Sequence, residues 1–439
     1  MIFYKSQKIL QATLQRLKQQ SWLVLVLFLL IFSPPILPKI NILIPLAVIL
    51  GAVMTIGYRQ EVGNILKKTP KTVWLLMILF GVYVGVMMTI AILSHGQMFT
   101  HDHLVTTYRF GLLGCATVVV LYVLVFCQRY HFSKIDLFEL IIWAVALQML
   151  IGTLTLFMPS AKRFLIDVTY VNTGDKILLS KYHFERRFYG FANNLLDTFG
   201  YGVGVAIALI PIVVFAKKRY WQLILIPGFA LLIFFNACTG LLIGAIGLLS
   251  SMTGIFIYGS KKVRLALLAI MIFVIVALLS AVPVLKAKSP KTYYWLYHDL
   301  GSVINFATKK QNVNQSTTAT SLFKDDSWRL PRGAGLIFGT GYSVYGVDGY
   351  AHSDVGYVND IWLVGILGSA FMMALIAMAV ILFAKTDKRM ICISIFLVGA
   401  ILIFQIKGRA IMANAGFITS MLIVMSGILT PTQIEGSRK

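Results

Sequence analysis

Histidine, carboxylate, glycine and tyrosine crowd into one stretch, Gly339 to Asp360, that runs straight into a long apolar segment. Within it His352 and Asp354 are the residues suited to acid–base work. His352 lies just outside the start of the expected helix, where the positive end of the helix dipole favours neutral imidazole. A neutral imidazole near pH 7 is what a general base requires, and Asp354 would orient it or replace it. Ser353 and Asp354 also suit the N-cap of that helix, since either side-chain oxygen accepts an orphan N–H. Glycines 333, 335, 339, 341, 346 and 349 allow positive φ and close backbone approach, so successive N–H groups have the means to form an anion nest. The P-loop pattern is absent.

Arginines form the second constellation. Arg186 and Arg187 precede one apolar segment, Arg329 and Arg332 precede the glycine-rich stretch, and Arg409 sits with Lys407 between the last two apolar segments. A guanidinium offers a fixed fork of donors that matches phosphate oxygens bidentately, and a lipid diphosphate is the natural partner. Asn193, following Arg187, Tyr189 and Gly190, joins this group. Tyr342 and Tyr357 suit stacking on sugar rings, or anchoring at headgroup depth. Snorkelling to the headgroups explains Lys407 first and competes for Arg409.

These residues hang on a membrane scaffold. Hydrophobic residues make up 58% of the 439 and charged residues only 13%, which excludes a soluble globule. The fold expected is an all-α polytopic membrane protein with about twelve spans of roughly 20 residues each. They run Trp22–Ile36, Ile40–Tyr58, Thr72–Ser94, Tyr108–Cys127, Leu137–Met158, Thr198–Ala216, Trp221–Phe235, Gly240–Tyr258, Val263–Val284, Val355–Ala384, Ile391–Ile406 and Ala410–Leu429. Positions 1–439 read as a single membrane domain. Two connections are long, 159–197 and 285–354, and the second has room for interfacial helices such as one around Tyr293-Tyr294-Trp295-Leu296-Tyr297.

The net charge of +23 is explained by basic turns between spans and calls for no nucleic acid. Those turns, Arg59–Lys71, Arg129–Asp136, Lys217–Arg219, Lys261–Arg264 and Lys385–Arg389, read as cytoplasmic, with both termini inside the cell. Asp102, Asp167, Asp175, Glu185, Asp197, Asp299, Asp325, Asp326, Asp348, Asp354 and Asp360 then fall outside. All four cysteines lie in or at the ends of spans, so no disulfide framework is expected. Asp325 and Asp326 are explained by solvation in a polar loop, and the first external loop, Ser33–Lys39, has no acid. No metal or other cofactor is expected.

Three features now combine: the ladder of spans with a large loop before the tenth; Arg187-Phe188-Tyr189-Gly190-Phe191-Ala192-Asn193 running into a helix; and Gly339-Thr340-Gly341 followed by His352-Ser353-Asp354-Val355-Gly356-Tyr357 and Gly365-Ile366-Leu367-Gly368. In these the chain resembles the Wzy-type polysaccharide repeat-unit polymerases, which are similar to the O-antigen ligases. Where such proteins often carry a Ser-Arg pair, this chain reads Ala237-Cys238-Thr239-Gly240, so no site is assigned there. The resemblance implies a GT-C-like glycosyltransferase, independent of metal, at the outer face of the cytoplasmic membrane. Its substrate would be a polyprenyl-diphosphate-linked oligosaccharide, and it would work beside the flippase and chain-length regulator of the same pathway. His352 and Asp354 would be catalytic; Arg186, Arg187, Asn193, Arg329, Arg332, Arg409, Tyr342 and Tyr357 would bind diphosphate and substrate. The alternatives are an O-antigen-type ligase and a flippase or transporter of lipid-linked oligosaccharide.

Overall fold

A computed structural model describes residues 2–37, 40–94, 101–170, 191–192, 197–234, 239–261, 264–265, 283, 286–287, 325–340, 353 and 355–429. Its helices are α1 (Ile2–Phe32), α2 (Leu43–Gly57), α3 (Arg59–Lys68), α4 (Lys71–Ser94), α5 (His101–Arg129), α6 (Lys134–Phe157), α7 (Pro159–Tyr170), α8 (Asp197–Lys217), α9 (Leu225–Phe234), α10 (Thr239–Tyr258), α11 (Ala334–Phe338), α12 (Gly356–Thr386), α13 (Ile391–Lys407) and α14 (Ala415–Met425). A small antiparallel ladder, Pro35–Leu37 with Ile40–Asn41, closes the turn after α1.

Among the described residues seven helices are long and apolar enough to cross a membrane, or eight if α2 and α3, bent 99° to each other, are one span. The chain is therefore a membrane-embedded helical protein. Of the expected span Val263–Val284 only residues 264, 265 and 283 are described. Trp221–Phe235 is a 3-10 turn, Tyr220–Ile224, leading into the ten-residue α9. In place of the expected span Ala410–Leu429 stands the eleven-residue α14, shorter than a full span, which starts only at Ala415 because the Asn414 side chain accepts from Phe417 N at 2.9 Å and caps the helix there. The first long connection opens as a helix, α7.

The bundle is built around α8, of whose span 83% is buried. Hydrophobic burial gives no drive between helices in lipid, so association there relies on close packing of small residues. A Cβ on Gly240 of α10 would sit 2.3 Å from Gly200 O of α8, and one on Gly204 would sit 2.6 Å from Gly240 O. Tyr201 of α8 stacks on Phe404 of α13, ring centroids 4.8 Å apart, and its hydroxyl pairs with Ser420 of α14 at 3.4 Å.

Four of the five turns expected on one side are tied together. Arg129 Nη1 donates to Glu61 Oε1 at 2.7 Å, and Lys134 Nζ to Asp387 Oδ2 at 3.0 Å. Lys217 Nζ bridges Asp136 and Glu139 at 2.5 Å each; Arg219 Nη1 and Gln222 Nε2 also donate to Glu139, at 2.6 and 2.8 Å. Ends of α3, α5, α6, α8, α12 and α13 thus share one basic face. Alternation of the spans puts the start of α12 and the end of α13 at the opposite end.

Helix α12 is two helices. At Gly365 the backbone takes φ 68° and ψ 179°, a non-helical state that breaks the ladder. An exposed carbonyl inside a membrane costs several kcal/mol unless something satisfies it. Here Trp362 O accepts from Thr340 N at 2.7 Å and from Thr340 Oγ1 at 2.8 Å, while Val364 O accepts from the Tyr83 hydroxyl at 2.7 Å. The same hydroxyl also lies 2.9 Å from Phe338 O. Two distant segments, 338–340 and α4, complete the break.

Candidate functional site

The first half of α12 carries the site. Its side chains are placed by a backbone crossing: a Cβ on Gly356 would lie 2.3 Å from Gly408 O and 2.9 Å from Gln405 O. Glycine at 356 lets the start of α12 touch the end of α13 directly. One turn on, Asp360 faces residues 405–410 and is buried.

Both carboxylate oxygens of Asp360 are used. Oδ1 accepts from Arg409 Nε at 2.9 Å, and Oδ2 accepts from Gln405 Nε2. The amide of Gln405 cannot turn over, because its Oε1 accepts from Ala410 N at 2.6 Å. Arg409 keeps 11% of its side chain exposed, and among the described residues neither of its Nη groups has a hydrogen-bond partner. Its carbonyl accepts from Asn414 Nδ2 at 3.2 Å, which holds the 409–414 turn. Arg409 is thus anchored to a buried acid, not extended freely toward headgroups.

Beside this pair, Asn359 donates through Nδ2 to Ser353 O at 2.8 Å and to Val355 O at 3.0 Å; its Oδ1 is buried with no partner among the described residues. Ser353 donates to Ser327 O at 2.5 Å and accepts from Val355 N at 3.2 Å. The N-cap is therefore Val355, without a side-chain cap bond, rather than the expected Ser353 or Asp354. Asn359 reaches back from inside the helix and Ser353 turns toward residue 327, so the helix starts later than its polar residues suggest. Trp362 Nε1 donates to Arg329 O at 2.9 Å, fastening 325–332 over this end of α12 and placing Arg329 beside it. The side chains of Arg329 and Arg332 are exposed.

The sequence-expected residues divide accordingly. Arg409, Arg329, Arg332 and Tyr357 belong to one end of the bundle. Tyr357 directs its hydroxyl to Leu402 O at 3.0 Å and so clasps α13. His352, Asp354, Arg186, Arg187, Asn193 and Tyr342 lie outside the described residues. Phe191, four residues after Arg187, donates its N–H to Gln148 Oε1 on α6 at 3.2 Å. Of the glycines expected to make an anion nest, 333 and 339 do adopt positive φ, but Gly339 spends it on the protein itself: a Cβ there would lie 2.6 Å from Gly365 N. Gly335 is helical in α11, and 341, 346 and 349 lie outside the described residues.

Asp360, Gln405 and Asn359 carry no motif that singles them out in the sequence. An ionisable residue inside an apolar run is a functional signal by default, and Asp360 falls within Val355–Ala384.

Fold and site together define a polytopic membrane protein with a buried, doubly braced aspartate–arginine pair at the end opposite its basic turns. Comparison with protein-family models finds no match for the chain, and a search of curated proteins finds none either.

Proposed function

We propose that the chain is a membrane glycosyltransferase that polymerises oligosaccharide repeat units carried on a polyprenyl diphosphate, in the manner of the Wzy-type polymerases. On this reading it is a ladder of about twelve spans of GT-C-like type, with both termini cytoplasmic and the Asp360–Arg409 end at the outer face of the cytoplasmic membrane. A hydroxyl of one repeat unit attacks the anomeric carbon of the sugar on another carrier. His352, with Asp354, takes the hydroxyl proton, the glycosidic bond forms, and the bond to the lipid diphosphate breaks. Negative charge grows on the departing diphosphate, where preorganised donors lower the barrier most.

The observation that carries the reading is the state of Arg409: held by Nε alone, with both Nη groups unclaimed among the described residues, beside the helix start that bears the His352 sequence. Arg329, Arg332, Arg186 and Arg187 are the further cations for the same diphosphate. A second reading, transport of the lipid-linked sugar, draws support from the broken helix at Gly365, since transporters bind substrate at discontinuous helices. Deleting the gene and sizing the surface glycan separates them. Single repeat units on lipid support polymerisation; long polymer left on its lipid points to a ligase; loss of all outward-facing repeat unit points to transport.

A further inference from the structure

The hydrogen bonds around Asp360 have a direction. Ala410 N can only donate, so Gln405 must present Oε1 to it and Nε2 to Asp360. Arg409 Nε can also only donate. Asp360 therefore faces two donors from opposite sides, and a carboxylate meets both while an asparagine meets one. The backbone contact between Gly356 and Gly408 fixes the two segments that carry these groups.

We infer that Asp360 is a positioning residue: through the Ala410–Gln405–Asp360 chain it grips the Nε edge of Arg409 and leaves the two Nη groups to oxygens of a diphosphate ligand. This rests on the proposed donor chemistry for its ligand class, but not on any turnover. A guanidinium free to rotate about its stem loses its aim at a tetrahedral oxyanion, whereas one pinned at Nε presents a fixed fork. Asp360 itself touches no reacting atom, because Gln405 and Arg409 occupy its two oxygens.

The donor order makes the assignment testable by exchange. Asp360→Asn sets its amide nitrogen against Gln405 Nε2, donor to donor, or else against Arg409 Nε. Adding Gln405→Glu reverses the polarity of the link: Asn at 360 donates to Glu at 405, which still accepts from Ala410 N, and the net charge is restored. Wild type, Asp360→Asn, Gln405→Glu and the double variant, each full length in lipid nanodiscs, are titrated with undecaprenyl diphosphate, with undecaprenyl alcohol as control. Elongation of a lipid-diphosphate-linked repeat unit is followed in parallel. Each single variant should weaken diphosphate binding about tenfold or more, the scale of one misplaced charge-assisted hydrogen bond. The double variant should return to within about threefold, with KM rising and falling in step and kcat following weakly.

A double variant that folds yet stays as weak as Asp360→Asn overturns the positioning role, as do single variants that bind like wild type. Equal binding of the alcohol and the diphosphate by wild type also overturns it. Tight, Asp360-dependent diphosphate binding without elongation supports the positioning role while removing the polymerase reading, so the two fail separately.

Discussion

Asp360 and Arg409, 49 residues apart in sequence, meet at 2.9 Å through Oδ1 and Nε, and the carboxylate is buried. Removing one member of a buried ion pair leaves the other charge uncompensated, typically at about 3–5 kcal/mol. Arg409→Gln should therefore lower the thermal unfolding midpoint in detergent more than Arg332→Gln, whose side chain is exposed. Equal midpoints for the two variants would mean that the pair adds nothing to the packing of α12 on α13.

Gly356 is where the two backbones touch. Gly356→Ala puts a methyl group 2.3 Å from Gly408 O, and neither side is a flexible side chain that can swing away. The helices must separate, at a cost of about 1–3 kcal/mol for overpacking, and the Asp360–Arg409 bond goes with them. Gly63→Ala, with nothing within 4 Å, is the matched control and should be close to neutral. Polymer made at wild-type length by Gly356→Ala would show that the crossing does not set the site.

The break in α12 makes a graded pair of expectations. Gly365→Ala meets both a positive φ and a carbonyl, Ile337 O, at 2.3 Å, so it should be among the most damaging single substitutions in the chain. Thr340→Val removes the Oγ1 bond to Trp362 O and leaves the backbone N–H bond, so it should cost about 1 kcal/mol. Unfolding midpoints of the two variants, measured side by side in detergent, check the order; a Gly365→Ala protein as stable as wild type would rule out the break.

On the basic face Asp387 gives a pH expectation. Burial pushes its carboxyl up, but hydrogen bonds from Arg389 and Lys134 outweigh that and hold it below the ordinary aspartate range. A depressed carboxyl contributes stability that is present above its unfolded value, about 3.9, and is lost as pH falls through the lower folded value. The midpoint should therefore drop as pH is lowered from about 6 to about 3. Lys134→Met should flatten part of that slope. An unchanged slope in that variant would place the acid sensitivity elsewhere.

The scaffold and its two ends could be read along the chain because hydropathy and charge are local properties. Runs such as Thr198–Ala216 and Gly240–Tyr258 are long and apolar enough to span, and the ion pairs of Glu61, Asp136, Glu139 and Asp387 join four of the five basic turns that the sequence groups together. Asp360 appeared only as one acid among many on the outer side, since its partners Gln405 and Arg409 come from another helix end. The break at Gly365 was hidden for a similar reason. Its apolar surroundings read as one helix, and the groups that satisfy it, Thr340 and the Tyr83 hydroxyl, lie 22 and 281 residues from the carbonyls they serve. By sequence Gly339-Thr340 reads as ligand-binding loop chemistry; in the fold it seals a helix.

The sugar-transfer reading meets its plainest trial in a reconstituted system. Purified protein in liposomes, supplied with a polyprenyl-diphosphate-linked oligosaccharide and no other protein, is sampled over time and its lipid-linked products are sized. A ladder growing by one repeat unit per rung, with free polyprenyl diphosphate released in step and both lost in Arg187→Ala and His352→Ala, is the expected result. Substrate that crosses the bilayer intact, or stays at one repeat unit while the protein is folded and the lipid is bound, would contradict it.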